Sequence, residues 1–208
     1  MPNLVELHNV QKSYDHFVAV DHLSFSIPQG TIYGLLGPNG AGKTSSIRMM
    51  IGITLPDAGE VRLFGQNFSR RQLTKIGYLP EERGLYRKMK VFDHLLFLAR
   101  LHDVPDAKAR RRCLKWCERL EISGWIGKKV EELSKGMQQK VQFIATLLHD
   151  PELIIMDEPF SGLDPANAVV LKDVLVELKR AGKTILFSTH WMDRAERLCD
   201  AICLIDRG

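Results

Sequence analysis

No run of this sequence stays apolar for anything near the ~20 residues that span a bilayer, so no membrane-crossing helix is expected. The opening "MPNLVELHNV" lacks the basic-then-apolar layout of a signal peptide. From both absences a cytosolic chain is expected, with any membrane role left to a partner. Cysteine is scarce: four residues, Cys113/Cys117 and Cys199/Cys203, each pair four apart and on one face if helical. No CxxC spacing and no tight Cys/His cluster occurs, which argues for reduced packing cysteines and against a zinc site. Internal repeats and low-complexity linkers are missing. Charge of one sign does not dominate either. A net +4 suits an anionic surface without demanding one, and the densest basic cluster, "KARRRCLKW" (Lys108 to Trp116), needs no partner beyond water.

What is present suffices for a core. The apolar fraction is 45% over 208 residues, enough for one domain or for a core with an inserted subdomain. The informative stretch is "GPNGAGKTSS", which follows the apolar run "TIYGLLG". Ile32–Leu36 reads as a short buried strand, and "KTSSIRMMIGI" as a helix opening at Lys43 or just before. Gly37, Gly42, Lys43 and Thr44 complete G-x-x-x-x-G-K-[ST], the phosphate-binding P-loop. Glycine lets the backbone take positive φ and approach a ligand closely. The loop N–H groups of Gly37, Pro38's neighbour Asn39, Gly40, Ala41 and Gly42 then cradle phosphate oxygens, helped by the positive end of the helix. Lys43 is expected to reach the β- and γ-phosphates, Thr44 to offer its hydroxyl to Mg²⁺, and Ser45 to hold an α-phosphate oxygen. A nucleoside triphosphate ligand follows. The loop alone leaves a GTPase, a kinase, a motor and a transporter engine all open.

Around that loop, "LVELHNVQKSY" and "AVDHLSFSI" alternate like antiparallel strands split by the turn "DHF". A strand is expected at Glu60–Phe64, then a short helix in "RRQLTK" and a strand at Ile76–Leu79 stopped by Pro80. From Val91 to about Val130 strand signals vanish and apolar residues take helical spacing. "SKGMQQKVQFIATLLHD" continues as a long helix capped by Ser134. "LIIM" and "KTILFSTH" read as buried strands, with the amphipathic helix "NAVVLKDVLVELKRAG" between them. A helix in "WMDRAERLCD" and a strand in "AICLID" follow. Near-continuous apolar strands alternating with helices imply a parallel sheet covered on both faces.

Asp157 and Glu158 end the strand "LIIM", where ligands of doubly wound sheets sit. Asp157 is expected to hold Mg²⁺ through water, and Glu158 to polarise the attacking water as general base. His190, ending the next apolar strand, is placed to orient that water and meet the γ-phosphate.

These residues resemble the ATP-binding subunit of ABC transporters along essentially the full chain. "GPNGAGKT" matches the Walker A loop and "LIIMDEP" the Walker B strand. "LSKGMQQK" resembles the LSGGQ signature, "SGLD" the D-loop, and His190 the switch histidine. The GTPase base-reading pattern N-K-x-D is absent. The resemblance implies an α/β fold: a P-loop NTPase core with a mixed, mainly parallel sheet, an N-terminal antiparallel β subdomain and an inserted helical subdomain. Core and β subdomain fall at about 1–85 and 150–208, the helical subdomain at about 86–149. It implies ATP and Mg²⁺ as ligands, Tyr14 stacking on adenine, and Ser134, Gly136 and Asp164 closing on the ATP held by a second copy. It implies hydrolysis by a head-to-tail dimer that powers a membrane permease, seated at the cytoplasmic face. No nucleic-acid partner is expected. The phrase "GYLPEERGLYRKMKV" resembles the sodium-export and drug-resistance type of ABC-2 ATPases. The competing reading is a non-transport ABC ATPase acting on ribosomes or DNA; such proteins carry paired cassettes or a long coiled coil.

Two departures from the family pattern stand out. Lys135 and Met137 replace the first Gly and the Gln of LSGGQ, and Lys135 would face either a second copy's γ-phosphate or solvent. Glu81 occupies the position of a glutamine that senses Mg²⁺ and the membrane partner, and is expected to meet the metal through water. The chain stops at "LIDRG", where the family usually continues, so a longer protein is expected.

Overall fold

The alternation in the first thirty residues folds as expected. β1 (Asn3–Tyr14) and β2 (Phe17–Pro28) pair antiparallel in the computed structural model, which describes residues 2–82 and 84–208. Asp15 takes φ 48° in the turn between them, a conformation that aspartate tolerates. β4 (Ala58–Leu63) joins the other edge of β1, two residues earlier than its apolar run suggested, and the two-residue β5 (Gln66–Asn67) joins β4. The sheet order is β2-β1-β4-β5.

The second sheet is parallel throughout, in the order β6-β7-β8-β3-β9. Its members are β6 (Ile76–Leu79), β7 (Leu153–Met156), β8 (Thr184–Thr189), β3 (Ile32–Leu36) and β9 (Ala201–Leu204). Every residue of β3, β7 and β8 is buried, which explains the apolar sequences of β3 and β7 and the apolar centre of β8 at 185–187. The side-chain period of two sorts them into two cores. Ile32, Ile154, Met156, Ile185 and Phe187 face one, while Tyr33, Leu35, Leu153, Ile155 and Leu186 face the other. The second core is closed by the antiparallel sheet and by α1 (Lys43–Met50), through Ile47 and Met50. Parallel and antiparallel strands therefore occupy separate sheets.

The first core is closed by helices: α2 (Val91–Leu101), α3 (Asp106–Arg119), α4 (Lys135–Leu147) and α5 (Pro165–Arg180). α3 buries a narrow stripe, Ala109, Cys113 and Cys117, and turns its basic residues outward. Arg112 nevertheless reaches Asp150 at 2.7 Å, and Arg119 reaches Glu177 at 3.1 Å. α6 (Met192–Leu198) leads into β9. Cys113 and Cys117 share a helical face, with sulfurs 4.0 Å apart, but Cys199 ends α6 while Cys203 lies in β9. The strand that begins at Ala201 breaks the helical spacing. All four thiols are free.

Candidate phosphate-binding site

β3 ends at Leu36 and α1 begins at Lys43, so the glycine loop leaves the carboxyl end of a parallel strand that lies between β8 and β9. Gly42 caps α1 at φ 101°, and a Cβ there would sit 2.3 Å from the Ala19 carbonyl oxygen, so no other residue fits. No side chain caps α1, which leaves the N–H groups of its first turn for an anion. The cleft in front of them has a volume of about 430 Å³. Asn39, Gly40, Gly42, Lys43, Thr44 and Ser45 line it, with Asp157, Glu158 and Glu81 opposite and Tyr14 at the rim.

Lys43 is only 6% exposed, and its Nζ donates to the carbonyls of Gly37 (2.7 Å) and Pro38 (3.0 Å). Those two residues therefore serve the site through their carbonyl oxygens, and Ala41 is buried beneath the loop. Thr44 Oγ1 donates to Asp157 Oδ2 at 2.8 Å. Ser188 Oγ donates to the other oxygen, Asp157 Oδ1, at 2.5 Å and accepts from the Glu158 N–H at 2.9 Å. Glu158 follows with φ 48°, a costly backbone state for a non-glycine residue that gathers at functional sites. Its Oε1 lies 3.0 Å from His190 Nδ1 and 3.7 Å from Lys43 Nζ. With the carboxylate accepting, His190 donates from Nδ1, and Nε2 has no hydrogen bond among the described residues.

The Thr44 hydroxyl and the Asp157 carboxylate are hard oxygen donors side by side at the mouth of the loop. Among the described residues no group of three or more His, Cys, Asp or Glu could hold a metal by itself. A small oxygen set of this kind fits Mg²⁺, which keeps waters and takes phosphate oxygens as its other ligands.

The fold thus brings together Tyr14, the P-loop, Glu81, Asp157, Glu158 and His190. It does not bring Ser134, Gly136 or Asp164 to the same cleft. Ser134 caps α4, its hydroxyl accepting from the Met137 N–H at 3.3 Å. Asp164 caps α5, accepting from the Asn167 N–H at 2.9 Å, so this helix starts two residues before the expected Asn167. Ser188 is the site residue that sequence reasoning missed. The signal was a hydroxyl facing the functional end of an otherwise apolar strand. Phe17 and Ala19 on β2 also line the cleft and carried no motif.

The ABC transporter family model matches residues 20–161. An uncharacterised ABC transporter ATP-binding protein of Bacillus subtilis is 47% identical over 205 residues, covering 99% of this chain and 69% of the relative. Another from Methanocaldococcus jannaschii is 44% identical over 204 residues, covering 98% of this chain and 74% of the relative. The Nod factor export ATP-binding protein I of Ralstonia nicotianae is 38% identical over 208 residues, covering 99% of this chain and 65% of the relative. The chain thus spans about two thirds of the length of these relatives. A solved ATP-binding subunit of an ABC transporter superposes with TM-score 0.90 at 30% identity, covering 99% of this chain and 87% of that one.

Proposed function

The chain belongs to the ABC transporter family as an ATP-binding ATPase subunit, and from that premise we propose that two copies, paired head to tail, hydrolyse ATP to drive a separate membrane permease. The observation that carries this reading is the shared Glu158 Oε1, within 3.0 Å of His190 and 3.7 Å of Lys43, beside a hydroxyl-clamped Asp157. It unites a buried phosphate-binding cation and a buried base with an orienting imidazole that solvent reaches.

Each side chain then has a task. Tyr14, 39% exposed at the rim, supplies a flat face for adenine. Lys43 exchanges loop carbonyls for phosphate oxygens. Thr44 and Asp157 would hold Mg²⁺, which offsets phosphate charge, with Glu81 reaching it through water. Glu158 accepts the proton of the attacking water, and His190 holds that water and the terminal phosphate in line. In the low-dielectric pocket these groups need little rearrangement as charge develops. Ser134 and Gly136 at the start of α4, with Asp164 at the start of α5, present two helix N-termini to the nucleotide of a second copy. ATP carries several negative charges that one copy leaves partly unpaired, so nucleotide joins the two.

Residues 86–149 form the helical subdomain in this reading, and the stretch Glu81–Tyr86 meets the permease; Arg83 within it lies outside the described residues. No helix among the described residues is long and apolar enough to cross a membrane. In this reading the permease holds the subunit peripherally at the cytoplasmic face. Export is favoured by the "GYLPEERGLY" resemblance and by the relatives named for Nod factor export. Affinity capture from native membranes tests the partner. A multi-span protein is expected with the chain, whereas ribosomal subunits or DNA would indicate the non-transport reading.

A further inference from the structure

Glu81 and Lys135 depart from the family pattern in opposite senses, one adding a carboxylate and the other an ammonium. Both line a second cleft, of about 380 Å³, that adjoins the phosphate cleft and shares Glu81, Asp157 and Glu158 with it. Lys135 is the first residue of α4, at the positive end of the helix, and the first turn has no acidic residue to offset it. An ammonium there is disfavoured unless a carboxylate lies close.

The cleft supplies that carboxylate. Gln139 donates its amide N–H to Pro159 O at 2.6 Å, and Gln142 donates to Pro80 O at 3.3 Å and Glu82 O at 3.2 Å. The amide oxygens remain, and Gln139 Oε1 is buried without a partner. Every formal charge on the cleft wall other than Lys135 is negative. Asp157 is engaged by Thr44 and Ser188, and Glu158 by His190 and Lys43. Among the described residues, Glu81 has no hydrogen bond or ion pair, and neither does Lys135. Both side chains are exposed and so can turn toward each other.

We propose that Lys135 and Glu81 pair across this cleft within one chain, making Lys135 a positioning residue that holds the loop after β6 against the start of α4. Glu81 also lines the phosphate cleft, so the pair ties one wall of that cleft to the helix that meets a second copy's nucleotide. This consequence for turnover rests on the function proposed above; the pairing itself does not. A Lys135 engaged in this way is withdrawn from the second copy's phosphates.

Carbodiimide activation tests the pairing without an activity assay. The activated carboxylate is attacked by a neighbouring lysine, an amide forms, and the carbodiimide leaves as its urea. Lys12–Asp57 at 2.6 Å and Lys75–Glu152 at 3.1 Å serve as internal controls. In a mixture of ¹⁵N-labelled and unlabelled protein, peptide mass spectrometry should find a Glu81–Lys135 amide with both halves carrying the same label. Control links without that amide, or an amide joining labelled to unlabelled halves, would overturn the proposal. Turnover provides the second readout. Lys135→Glu should slow it by about 5-fold, whereas the same change added to Glu81→Gln should slow it by less than about a further 2-fold, a coupling in the range seen for contacting residues. Lys135→Arg should keep near-normal turnover. Simple multiplication of the two single effects, or no effect of Lys135→Glu, would also overturn the pairing. Absence of ATP hydrolysis by the wild type would instead count against the function proposed above, leaving the cross-link to decide the pair.

Discussion

Glu158 holds a left-handed backbone conformation that a free glutamate rarely adopts. Its φ of 48° is fixed by the Ser188 hydroxyl on its N–H, and its carboxylate is shared by a histidine and a lysine. Glu158→Gln keeps the shape and removes the base. ATP binding should persist while turnover falls about 10²- to 10⁴-fold, the usual worth of general-base catalysis, as measured by phosphate release. Near-normal turnover would remove Glu158 from that role. Lys43→Ala removes the one buried cation at the loop and should abolish binding of a fluorescent ATP analogue; wild-type affinity would remove the P-loop assignment. At this scale most of the site was legible, because phosphate chemistry forces a fixed spacing of Gly, Lys and Thr. Ser188 was not legible. A serine in a buried strand looks the same whether it packs or clamps a carboxylate, and only the register of β8 beside β7 distinguishes the two.

Elements were read best where the pattern was long. β3, β7 and β8 were plain as apolar runs, and α4 as a helix behind a serine cap. Boundaries moved where capping overrode composition. α5 begins at Pro165 because Asp164 takes the cap, and β4 begins at Ala58 because its pairing with β1 reaches Gln11. β5 was invisible, since two polar residues carry no periodicity. Ser134→Ala removes the cap of α4 and should cost about 1 kcal/mol of stability by denaturant titration. The same change should slow hydrolysis without weakening the first contact with ATP. Unchanged turnover would argue that α4 serves no second copy.

The helical layer also carries a pH dependence. His149 is pushed down to about 4, chiefly by burial and then by His102, whose ring stacks on it at 3.9 Å. Burial holds His102 and His94 below their ordinary value too. Unfolded histidine takes up its proton near 6.5, so between there and about 4 the unfolded chain binds more protons than the folded one. Stability is therefore full above pH 6.5 and declines as the pH falls through that window. Thermal unfolding at pH 7 and pH 5 should show a lower midpoint at pH 5, and His149→Gln should flatten the difference. An unchanged slope in that variant would exclude His149 as a source.

At the scale of the whole molecule the parallel sheet separates two cores, one closed by the antiparallel sheet and α1 and the other by helices, and the division between the two sheets follows from sequence. Strands buried on both faces must be apolar throughout, while β1 and β2 alternate because one of their faces meets water. What one chain cannot display is the partner that its spare helix N-termini serve. Ser134, Gly136 and Asp164 lie away from the P-loop of their own chain, and this separation is what makes a second copy necessary in the proposed mechanism. The most direct test is the molar mass of the Glu158→Gln variant by light scattering, with and without ATP and Mg²⁺. Nucleotide should shift it from one protomer to two, with two ATP molecules retained per pair. A variant that saturates with ATP and still scatters as a single protomer would contradict the shared-nucleotide mechanism.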